Sequence, residues 1–70
     1  MKSLLADYNK QYEDIIHSDL TDYQKGVRLG ELMTVLEYEF RIPMLRNVAW
    51  EQENKTVIAL YRKVSLSRKL

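Results

Sequence analysis

The stretch from Thr21 to Phe40 most constrains what this chain can fold into. It opens Thr-Asp-Tyr-Gln, in which the Thr21 hydroxyl can accept from the amide of Gln24 while the Gln24 side chain reaches back to the amide of Thr21. This reciprocal cap is a fairly specific start signal. Behind it, Leu29, Leu32, Met33, Leu36 and Phe40 fall on one apolar stripe of a helix predicted over 22–41.

A second set of side chains leaves the same helix on another side. Tyr23, Val27, Thr34 and Tyr38, with Gly26 and Gly30 beside them, project roughly opposite the edge marked by Leu32 and Leu36. Each glycine inside a helix costs about 1 kcal/mol relative to alanine, so a compensation is expected. One reading is that the missing side chains let another helix approach closely; the other is local tolerance in an otherwise well-packed helix.

The first segment is also helical by its spacing, with Leu5, Tyr8, Tyr12 and Ile15 at steps of three, four and three and with Leu4 and Ile16 beside them. Ser3 is its candidate N-cap, and the run HSDLTD, rich in residues that favour turns, ends it near His17. Beyond the second helix, Ile42-Pro43 demands a turn, because the proline ring disfavours helical geometry before it and removes an amide donor. Asn47 then caps a third helix in which Trp50, Val57, Leu60, Tyr61 and Val64 share a face. A start at Pro43, with Met44 and Leu45 in the opening turn, is the alternative. Asn54 falls within that face, either fixing register through a hydrogen bond or lying at its rim.

The expected architecture is therefore all-α: one domain over 1–70, a small unit of three helices at about 3–17, 22–41 and 47–66, with short connections and no strand of period-two alternation. Seventy residues bury barely enough apolar surface to fold alone, so dimerisation through the glycine and tyrosine flank is a way to complete the core. Hydrophobic residues at 46% and charged residues at 30% suit a folded domain rather than a disordered one. With no cysteine, the chain has no disulfide, thiolate zinc site or cysteine nucleophile. The N-terminal MKSLLADYNKQYED has acids too early for a signal peptide, and no run of apolar residues spans a bilayer; a cytoplasmic location is expected.

Enzymatic groups do not assemble from this sequence. His17 beside Ser18 and Asp19 is not a triad, because such groups must converge from separate elements. Glu37 and Glu39 point about 200° apart on a helix, as do Glu51 and Glu53, so neither pair suits one metal ion. Gly26 and Gly30 lie within a helix rather than a phosphate-binding turn. No cofactor, metal or membrane partner is expected.

Two features carry the remaining functional signal. The net charge of +1 conceals an asymmetry: residues 1–54 hold six Lys or Arg against ten Asp or Glu, whereas KTVIALYRKVSLSRKL, residues 55–70, holds five cations and no acid. Arg62, Lys63, Arg68 and Lys69 can serve as helix-end charges worth roughly 0.3 to 1 kcal/mol each, as contacts to an acidic protein surface, or as phosphate contacts. They spread around the helix rather than forming a row. The second feature is five tyrosines and one tryptophan in so short a chain. Tyr23 and Tyr38 are the ones expected to reach a partner, unless the first and third helices cover both flanks of the second.

The function expected from the sequence is a small non-enzymatic protein–protein interaction module, a regulator or adaptor, with Tyr23, Gly26, Val27, Gly30, Tyr38, Arg62, Lys63, Arg68 and Lys69 as its contact residues. A weak nucleic-acid accessory protein using the basic end is the alternative.

Overall fold

A computed structural model describes residues 4–68, which form four helices: α1 (Leu4–Ile16), α2 (Asp22–Glu39), α3 (Val48–Glu53) and α4 (Lys55–Ser67). No strand occurs among the described residues, and the candidate cap Ser3 lies outside them. The architecture is a small all-α bundle centred on α2, which packs along both α1 and α4; α1 and α4 meet over a shorter stretch.

The reciprocal cap at the start of α2 is formed. Thr21 Oγ1 accepts from the Gln24 amide at 3.1 Å, and Gln24 Oε1 accepts from the Thr21 amide at 3.1 Å. The turn before it is fixed from both sides. Ser18 donates to the Ile15 carbonyl at 2.6 Å, and Lys25 reaches back from α2 to donate to the Ile16 carbonyl at 3.2 Å. The lysine bond satisfies a carbonyl at the end of α1, and the Ser18 hydroxyl joins its own backbone amide on the Ile15 carbonyl.

The apolar stripe of α2 supplies the centre of the core. Leu29, Leu32 and Leu36 are buried together with Tyr12 of α1 and with Leu60 and Val64 of α4. Leu5, Tyr8, Ile15, Ile16, Met33, Phe40, Ile42 and Tyr61 close around them. Tyr8 and Phe40 meet edge-to-face with ring centroids 5.9 Å apart, a favoured arrangement of aromatic quadrupoles. The buried Tyr12 keeps its hydroxyl satisfied through Ser67 Oγ at 2.7 Å, which ties the middle of α1 to the end of α4.

Helix α2 stops at Glu39, two residues short of the expected Arg41. Arg41 takes a left-handed conformation at φ 51°, and the Ile42 amide returns to the Glu37 carbonyl at 3.1 Å. This is the long-range bond of a Schellman-type ending, with Ile42 turned onto the core as the hydrophobic residue such an ending places there. Residues 42–47 are not helical, so Pro43 does not open a helix. Asn47 does: its Oδ1 accepts from the Trp50 amide at 3.0 Å.

The third helix expected over 47–66 is divided in two at Asn54, which has φ −127° and ψ 45° and ends α3 while beginning α4. Its side chain donates to the Trp50 carbonyl at 2.9 Å, so it bonds within its own segment instead of fixing register between helices. Asparagine's short amide competes for local backbone groups, which explains a break that spacing alone conceals. The break also removes Trp50 from the face it was expected to share with Val57, Leu60, Tyr61 and Val64. Trp50 is half-buried on α3, a helix with no buried residue, and stands outside the core cluster.

Candidate functional site: a groove beside the second helix

The outer flank of α2 is open at both ends. Tyr23 is 79% exposed and Tyr38 74% exposed, with Val27 and Thr34 exposed between them. Neither α1 nor α4 covers these two tyrosines. The two glycines differ from this: Gly26 is buried and Gly30 half-buried. A Cβ built on Gly30 would come within 3.0 Å of the Arg68 guanidinium carbon. The space that glycine leaves is filled by a side chain of the same chain.

The other basic residues are similarly engaged. Arg62 Nη2 lies 2.6 Å from Glu51 Oε1, and Arg46 approaches the other oxygen of that carboxylate at 3.8 Å. Lys63 donates to Asn9 Oδ1 at 2.7 Å while its ammonium stands 4.8 Å from the centre of the Tyr12 ring. Thus Arg62 reaches α3, Lys63 reaches α1 and Arg68 reaches α2. Lys69, also among the expected contact residues, lies outside the described residues.

Where α2 ends, its exposed flank runs into a groove of about 550 Å³ lined by Thr34, Glu37, Tyr38, Ile42, Pro43, Met44 and Tyr61. Three local features assemble it. The left-handed turn at Arg41 swings the chain back over the last turn of α2, Pro43 and the fully exposed Met44 form one wall, and α4 brings Tyr61 against Glu37. Tyr61 donates its phenol proton to Glu37 Oε2. Burial, and then the hydrogen bond and negative charge of Glu37, push the Tyr61 phenol up to about 12 from its ordinary value of 10.0. The phenol therefore remains a neutral donor through the physiological range.

Tyr38 is the one residue of this groove singled out from the sequence as a contact residue. Glu37 figured there only as a metal ligand to be discounted and Tyr61 as part of a core face. The signal that pairs them is tertiary: α4 must lie alongside the end of α2, and no spacing in either segment states that. His17 is exposed beside Glu13, with Nδ1 to Oε2 at 3.6 Å, while the neighbouring Ser18 hydroxyl is bonded to the Ile15 carbonyl. Among the described residues no three His, Asp or Glu side chains converge as a metal site, and no helix is long and apolar enough to cross a membrane. No family model, curated protein or solved structure matches this chain.

Proposed function

We propose that this chain is a small non-enzymatic protein–protein interaction module, a cytoplasmic regulator or adaptor, whose partner docks on the outer flank of α2 and the groove at its end. The observation that carries this reading is the exposure of Tyr38 and Met44 on one groove, beside a core gathered around Leu36. Leu45 and Val48 are also exposed, next along the chain from Met44, and Tyr23 and Val27 are exposed nearer the start of α2. Aromatic and methionine side chains are enriched at interfaces because they supply large contact area with adaptable packing. The engagement of Arg62, Lys63 and Arg68 within the chain favours this surface over the basic end as the place of contact.

The test is affinity capture from native lysate on immobilised wild-type chain, with Tyr38→Ala and Met44→Ala in parallel and helical content checked by circular dichroism. The reading expects a stoichiometric protein recovered by wild type and lost with both variants. Equal recovery by all three, or recovery of nucleic acid alone, contradicts it.

A further inference from the structure

We infer that the groove at the end of α2 takes an arginine side chain presented by the protein partner, held by Glu37 and Tyr61 and stacked against Tyr38. This rests on the docking reading above and adds the chemistry of what enters.

The polar groups of the groove are matched to a donor. The Tyr61 proton is committed to Glu37 Oε2, so the phenol oxygen offers the groove only its lone pairs. Thr34 is in the same position: its hydroxyl donates to the Gly30 carbonyl at 3.2 Å and leaves an acceptor outward. Glu37 accepts only, and Oε1 is not used by Tyr61. The turn adds few donors to this set, since the Ile42 amide is spent on the Glu37 carbonyl and Pro43 has none. A ligand bearing acceptors would face three more acceptors, whereas a group bearing several N–H donors can meet all three.

Charge selects in the same direction. Glu37 is the sole charged residue among those lining the groove. Among the described residues it forms no ion pair, although Arg41 follows it by one helical turn. Arg68, over Gly30, lies about 10 Å away along the helix axis, seven residues at 1.5 Å each, beyond direct competition for the carboxylate. The groove thus presents an uncompensated negative charge between aromatic and apolar walls.

A guanidinium suits this combination better than an ammonium. It is planar and weakly hydrated, carries five donors in a fixed fork, and stacks on aromatic faces while bonding a carboxylate at its edge. Tyr38 offers the exposed ring, Ile42, Pro43 and Met44 the apolar wall for the methylene stem, and Glu37 with Tyr61 and Thr34 the acceptors.

The experiment is a titration of the full chain, followed by two-dimensional NMR at low salt, with N-acetyl-arginine-N-methylamide, its neutral citrulline isostere and the N-acetyl-lysine analogue. The expected result is saturable shifts at Thr34, Glu37, Tyr38, Met44 and Tyr61 with the arginine compound, and binding weaker by about tenfold or more with citrulline. Glu37→Gln, which keeps an acceptor for Tyr61, should lose the arginine shifts. Should that variant unfold, the comparison of the three compounds on wild type still decides. Equal response to citrulline, tighter binding of lysine, or shifts distributed over Asp14, Asp22 and Glu31 would overturn the inference. A null titration beside intact Tyr38-dependent capture removes the arginine site and leaves the docking reading in place. Saturable arginine binding without capture keeps the site and removes the protein partner.

Discussion

Arg62 on α4 and Glu51 on α3 are joined at 2.6 Å across the break at Asn54, and the Glu51 side chain is only 16% exposed. The pair holds against its neighbour a six-residue helix that has no fully buried residue. Removing the cation would leave a carboxylate poorly solvated beside a distant Arg46. Arg62→Ala should therefore lower stability by about 1 kcal/mol, somewhat above an exposed pair of ordinary kind. Hydrogen exchange should show the loss of protection concentrated in Val48–Glu53. Uniform loss over α1 and α2 would mean that the pair does not act locally.

Leu36 has no exposed surface and lies where α1, α2 and α4 meet. Leu36→Ala is expected to cost about 3 kcal/mol, a transfer loss plus the cavity left behind. For a chain of this size that is a large share of a total of order 5 kcal/mol, so the urea midpoint should fall steeply. A change below about 1 kcal/mol would show that α2 is not the centre of the core.

Much of this arrangement can be read from the sequence, and the reason is local. Thr21 and Gln24 cap each other within one turn, and the stripe from Leu29 to Phe40 needs only helical geometry to appear. Tyr23 and Tyr38 are exposed because they sit across the helix from that stripe. The division at Asn54 was hidden, since Trp50 and Val57 keep helical spacing across it while the backbone does not. The contacts of the basic end are hidden for a related cause: Arg62, Lys63 and Arg68 point in different directions, and each meets a different helix. The pairing of Glu37 with Tyr61 depends on which helices lie side by side, a relationship absent from either segment alone.

The ending of α2 stores a small cost at Arg41, a non-glycine residue with φ 51°. The left-handed conformation brings its Cβ against the following carbonyl, by about 1 kcal/mol, a clash that glycine lacks. Arg41→Gly should raise stability by roughly 0.5 to 1 kcal/mol, the larger freedom of glycine in the unfolded chain offsetting part of the gain. Thermal denaturation checks this; a lowered midpoint would mean that the Arg41 side chain contributes more than its backbone costs.

The Tyr61 phenol makes stability depend on pH in a defined window. With its value pushed up to about 12, against about 10 in the unfolded chain, both states hold the proton below pH 10 and the contribution is complete there. As pH rises from about 10 towards 12 the unfolded chain loses its proton first, so this part of the stability is lost. Urea midpoints of wild type and Tyr61→Phe should accordingly draw together as pH rises through that window. A separation that stays constant or widens contradicts the bond to Glu37.

On the docking proposal, another protein sits in the groove bounded by Tyr38 and Met44. The most direct measurement of this is photocrosslinking in cells of chains carrying benzoylphenylalanine at Tyr38, at Met44 or at Asp14, which lies on α1 away from the groove. The account predicts one discrete adduct of the same partner from the first two positions and none from Asp14. Absence of adducts at Tyr38 and Met44, or the same pattern from all three positions, would contradict it.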